Sequence, residues 1–139
     1  MQALLTIIGR FCLVAIFLGS GVSKILDRSG TLDKMNEVGM PNPEIMYLGA
    51  VPFLLAGSVS VLLGYRARIG AILLMIFLVL VTWYFHAFWK LPEAEQQTQI
   101  IPFLHNLGLF GAFMMIFANG AGPGSLDGRV RGGNSISSD

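Results

Sequence analysis

Charge is scarce in this 139-residue chain. Only 12% of its residues are Asp, Glu, Lys or Arg, against about 25% in ordinary soluble domains. The formal net charge is +1, so there is no basic field to attract nucleic acid, and no basic amphipathic helix is present. Cysteine occurs once, at Cys12. No internal disulfide can form and no C-x-x-C pair exists, which excludes a dithiol redox catalyst acting alone. Cys12 lies inside an apolar run and reads as a small apolar filler. The chain also lacks a phosphate loop, a haem motif, a nucleophile–base pairing and any internal repeat.

What it has is apolar length. Hydrophobic residues make up 54% of the chain and concentrate in four stretches, roughly Leu4–Leu26, Glu44–Gly64, Ala67–Trp89 and Gln99–Ala118. A hydrocarbon core of about 30 Å is crossed by about 20 mostly apolar helical residues. Each stretch meets that length, and the polar remainder is too small for a second domain. The expected fold is an all-α membrane protein, an up-down antiparallel bundle of four transmembrane helices over residues 1–127. The Gly/Ser-rich residues 128–139 read as a flexible tail. The first stretch has no basic n-region, carries Arg10 and is too long for an h-region, so it reads as a retained helix rather than a signal peptide.

Punctuation between the spans supports this reading. Leu32, Met35 and Val38, spaced three apart, predict a short interfacial helix over Thr31–Val38, broken by Gly39-Met40-Pro41. Asn42 as N-cap, Pro43 at the first helical position and Glu44 in the first turn predict the start of the second span. Pro52 predicts a kink within it, and Ala56-Gly57-Ser58 with Ser60 a thin face for close helix contact. The third span follows a tight turn at Tyr65-Arg66 and ends in an aromatic belt, Trp83 to Trp89, with Lys90 beyond. Leu91–Thr98 is polar, and the fourth span carries Pro102 and ends at Asn119-Gly120. An even number of spans puts both termini on one side. Lys and Arg divide equally between the two sides, whereas Asp27, Asp33, Glu37, Glu44, Glu93 and Glu95 all lie opposite the termini. That favours cytoplasmic termini in a bacterial-type inner (plasma) membrane.

An ionisable side chain within a span costs about 2.5–3.5 kcal/mol at the centre on insertion scales, so each one needs a reason. Arg10 shares a helical stripe with Thr6, Phe17, Gly21 and Lys24. Two readings of it stand open: it snorkels to the headgroups, or it faces inward and binds an anion or fixes the bundle. Lys24 near the end of the first span, His86 near the end of the third, and His105 with Asn106 in the first half of the fourth fall at one level in an antiparallel bundle. Glu44 opens the second span at that level too. One polar cluster in the outer half of the bundle is therefore expected, suited to a polar headgroup, a quinone carbonyl, a small anion or proton relay. A hydrogen-bonded network that only locks the packing is the alternative. The two histidines lie on different helices with no second His or Cys at helical spacing, so no metal site is expected.

These residues, in this order, resemble the DoxX family of small four-helix membrane proteins. The matching pieces are Arg10 and its apolar run, Phe17 through Leu26, Gly39-Met40-Pro41 and Leu63 through Arg68. They continue with Thr82 to Trp89 around His86, Asn106-Leu107, and Gly122-Pro123-Gly124-Ser125-Leu126-Asp127. The resemblance implies association with membrane oxidoreductases, since name-giving members resemble subunits of thiosulfate:quinone oxidoreductase. One position departs: the family often carries a glutamate inside the second span where this chain has Leu54. The leading expectation is thus an accessory subunit of a redox or respiratory complex, in contact with lipid and other integral subunits. It would have no intrinsic cofactor and a possible quinone-proximal site. A stand-alone binder or enzyme for an amphipathic ligand such as quinone or lipid is the alternative, and a structural adaptor the third reading. The ligand-binding candidates are Arg10, Lys24, Glu44, His86, His105 and Asn106.

Overall fold

The computed structural model describes residues 1–128; the expected flexible tail, residues 128–139, lies outside them except for Gly128. The elements run α1 (Gln2–Leu26), α2 (Arg28–Glu37), α3 (Pro43–Leu63), α4 (Ala67–Phe85), a 3-10 turn (Phe88–Lys90) and α5 (Glu93–Asn119). Four helices are long and apolar enough to cross a membrane: α1, α3, α4 with its following turn, and α5. They form the antiparallel four-helix bundle, with α1 packed on α3, α3 on α4 and α4 on α5. Phe17 closes the row into a bundle: its ring meets Phe113 of α5 edge-on at 5.3 Å and Phe77 of α4 at 6.4 Å.

The core runs along the bundle axis through Val14, Phe17, Leu54, Val61, Leu74 and Phe113. Leu54 is fully buried there, so apolar packing occupies the place where the family often has a carboxylate. Around the core most large side chains, such as Phe11, Leu48, Ile101 and Met115, point outward. In lipid this carries no hydrophobic penalty, and close packing rather than water exclusion holds the helices together. The α3–α4 hairpin shows how. A Cβ on Gly57 would lie 3.1 Å from the Gly70 carbonyl, and one on Gly70 would lie 2.8 Å from the Gly57 carbonyl. The two backbones touch because neither residue has a side chain.

α2 starts and ends near the expected limits, with Asp27 rather than Thr31 opening it: Gly30 N–H donates to Asp27 Oδ1 at 3.0 Å. It docks on α3 through Met35, which is buried with Tyr47 and Val51. Asn42 departs from the expected N-cap role. It lies in the left-handed region (φ 49°), its side chain makes no capping bond, and its carbonyl accepts from Met46 N–H instead. Pro43 at the helix start needs no donor partner, which leaves little for a side-chain cap to do.

Two span limits also differ from the sequence reading. α4 stops at Phe85, not Trp89, because Phe88 and Trp89 turn back to stack edge-on against Phe103 of α5 at 5.2 and 6.0 Å. α5 begins at Glu93, six residues before the apolar run, since its first turns are polar yet still helical.

After α5 the chain folds back as a strap over the terminal end of the bundle. Asp127 accepts the N–H groups of Arg66 (2.9 Å) and Ala67 (3.2 Å) through its carboxylate, where α4 begins. Asp127 N–H in turn donates to Gly64 O at 2.9 Å. A carboxylate at a helix N-terminus satisfies orphan donors and complements the helix dipole.

Candidate functional site

Each ionisable candidate can now be placed. Arg10 faces inward and is 4% exposed. Its Nη2 donates to Gly124 O of the strap at 2.9 Å, while Nε and Nη1 have no hydrogen-bond partner among the described residues. Nη1 fills the space where a side chain on Gly64 would begin, and Gly64 itself turns the α3–α4 corner with φ 65°. Arg10 thus ties α1, the hairpin and the strap together at the end opposite the expected cluster. Glu44 lies on the surface, its carboxylate 3.7 Å from Arg28. His105 is exposed on α5 and turned away from the bundle interior.

Lys24, His86 and Asn106 come together. All three line one cavity of about 650 Å³ in the half of the bundle away from the termini. Sequence spacing alone sets their common depth. Their approach follows from α1, α4 and α5 presenting these faces inward. Lys24 is half-buried, and its ammonium donates to Ser20 Oγ one turn earlier at 2.7 Å. The Lys24 carbonyl accepts from the buried Tyr47 hydroxyl at 2.9 Å, which joins α1 to α3 beside the site. Two polar rungs join α4 to α5. His86 Nδ1–H donates to Gln99 Oε1 at 2.9 Å, and Asn106 Nδ2 donates to Thr82 Oγ1 at 3.1 Å. With Gln99 oxygen as acceptor, Nδ1 carries the ring proton, and Nε2 stays free to accept or, when charged, to donate.

Sequence reasoning missed Gln99, Thr82 and Ser20 as partners of these groups. It also missed Asp27, Thr31 and Lys34, which line the mouth of the same cavity. Gln99 had a legible signal: it is a polar residue at the start of an apolar run, as His86 is at the end of one. Lys34 had none, because its approach depends on how α2 folds back over α1.

The cavity is amphipathic. Its charged groups, Lys24, Asp27 and Lys34, sit at the α2 end, and its other end is walled by Phe17, Phe53 and Phe77. Lys24 and Phe17 are seven residues apart on α1, which is about 10 Å of helix rise. Lining residues such as Ile16, Phe53, Ile76 and Leu80 are themselves exposed on the bundle's flank, so the cavity opens sideways toward lipid. Among the described residues no three His, Cys, Asp or Glu side chains gather as a metal would need.

A four-helix membrane protein with a strap at one end of the bundle and a laterally open cavity at the other is the class the geometry defines. The chain belongs to the DoxX family, whose sequence profile matches residues 5–87. Among its relatives is the inner membrane protein YphA of Escherichia coli (strain K12), 28% identical over 128 residues, covering 92% of this chain and 91% of that one. The inner membrane protein YqjF of the same strain is 26% identical over 121 residues, covering 87% and 88%. No solved structure matches the chain.

Proposed function

We propose that the protein is an accessory membrane subunit that holds an amphipathic ligand, a quinone or a lipid, in its outer cavity beside a membrane redox partner. The observation that carries the reading is the amphipathic cavity, with Lys24, His86 and Asn106 at its polar level and aromatic walls below. Its volume falls within the roughly 300–1,000 Å³ of small-molecule sites. The Lys24 ammonium is a donor placed for a carbonyl or headgroup oxygen, His86 Nε2 joins it as a donor only when the ring is charged, and the lateral opening admits a molecule from the bilayer. The redox partner is inferred from the family resemblance. α5 leaves room for it, since Phe113 is its only buried side chain among the described residues. The relatives' names support a bacterial-type inner membrane, and the acids gathered in the loops opposite the termini favour termini in the cytoplasm.

The test is purification from native membranes in mild detergent, followed by mass spectrometry of proteins and of extracted lipids. The reading expects a stoichiometric quinone or lipid, lost in His86→Ala and Asn106→Ala far beyond the small fall in melting temperature that a missing α4–α5 hydrogen bond brings, and co-purified integral subunits. A monodisperse single chain with no retained amphiphile overturns it. A single chain that retains the amphiphile supports the stand-alone binder instead.

A further inference from the structure

We propose that the cavity selects an amphiphile with an anionic head, bound at the Lys24–Lys34 end, with its chain lying along Phe17, Phe53 and Phe77. This rests on the reading of the cavity as an amphiphile site. It goes further by fixing the charge of the head.

The charge balance of the lining carries the argument. Lys24 and Lys34 contribute +2 and Asp27 contributes −1, which leaves the mouth at +1 with His86 neutral. Asp27 is already committed, because its Oδ1 accepts the N–H that opens α2. Among the described residues neither lysine makes an ion pair with a carboxylate; Arg28 and Glu44 form the pair recorded there. The Lys24 ammonium has three donors, and Ser20 Oγ takes one of them. A half-buried cation whose other donors face a cavity is stabilised by an anion far more than by a neutral acceptor. A quinone carbonyl accepts a hydrogen bond and leaves the charge uncompensated. A carboxylate or phosphate head does both. The opposite end offers only apolar side chains about 10 Å deeper, the place for a hydrocarbon chain. Lys34 sits on α2, which lies over the cavity and reaches it from the interface, where a charged head stays.

The test uses full-length protein in nanodiscs of zwitterionic lipid, with binding read by native mass spectrometry and titration calorimetry. The probes are oleate, its uncharged methyl ester, dodecyl phosphate and decylubiquinone. Oleate or dodecyl phosphate is expected to bind roughly tenfold or more tightly than methyl oleate, the scale of one lost charge-assisted hydrogen bond. Which of the two anions leads separates a carboxylate from a phosphate head. Lys34→Gln, on the exposed surface, is expected to shrink that preference, and Lys24→Gln combined with Lys34→Gln to abolish it. If the double variant does not fold, Lys34→Gln with added salt carries the test alone. Methyl oleate or decylubiquinone binding as tightly as the anions, or a preference unchanged in the lysine variants, overturns the anionic head and leaves the amphiphile site standing. Binding of none of the probes removes the amphiphile site itself.

Discussion

Gly70→Ala is the sharpest probe of the bundle that frames the cavity. The new methyl group would lie 2.6 Å from Ser60 Oγ, 2.7 Å from Ser60 Cβ and 2.8 Å from the Gly57 carbonyl. Ordinary contact begins at 3.4 Å, so α3 and α4 have to part by about 0.6–0.7 Å at their crossing. The obstacle is backbone and the root of a side chain, not a flexible tip. Overpacking of this kind typically costs about 1–3 kcal/mol, and replacing a helical glycine by alanine returns roughly 0.5–1 kcal/mol. A net loss of about 1–2 kcal/mol is expected. Gly49→Ala, in the same hairpin, is the control, since nothing lies within 4 Å of its new methyl. It is expected to be neutral or slightly stabilising. Gly57→Ala, at 2.9 Å from Leu74 Cγ and 3.1 Å from the Gly70 carbonyl, falls between them. Unfolding by SDS titration from mixed micelles, followed by far-UV circular dichroism, ranks the three. Gly70→Ala as stable as Gly49→Ala would refute the close backbone crossing and the hairpin geometry built on it.

Two further outcomes are expected. Asp127→Ala removes two acceptors from the N-terminus of α4. It should lower stability by about 1–2 kcal/mol in the same titration and speed tryptic cleavage at Arg66 and Arg68; unchanged stability and cleavage would mean the strap does not cap α4. For orientation, in a chain with Cys12 replaced by alanine, a thiol at the exposed Ser29 or Ala94 should react with an impermeant reagent added outside intact cells, and one at Arg68 should not. The reverse pattern would place the termini outside.

The spans were legible because a membrane imposes length and apolarity together, and because Gly64 and Gly120 end α3 and α5 where glycine was read as a stop. The helix limits that differ do so for separate reasons. Apolarity marks the part of α5 inside lipid, so its polar first turns from Glu93 carried no hydropathy signal. The end of α4 is set by ring stacking of Trp89 and Phe88 on Phe103, a contact between residues 14 or more positions apart in sequence. Spacing put Lys24, His86, His105 and Asn106 at one level, and three of them line the cavity. It did not separate His105 from Asn106, because α5 is apolar nearly all the way round and its inward face is chosen by packing against α4. Arg10 kept two readings in the sequence because its acceptor, Gly124 O, is a backbone atom that no motif announces.

That acceptor also has a meaning in time. Ribosomes deliver α1 first, and Gly124 follows Arg10 by 114 residues. Until the strap arrives, the guanidinium sits in a membrane helix without its carbonyl, and the start of α4 lacks the Asp127 carboxylate. Both defects are repaired in a single event, when the strap folds back onto the bundle. A chain broken off within α5 keeps every transmembrane element begun before the break, yet it retains a cation unhoused in lipid and a helix uncapped. The strap, made after every span, thereby completes the burial of a charge that the first span carried in.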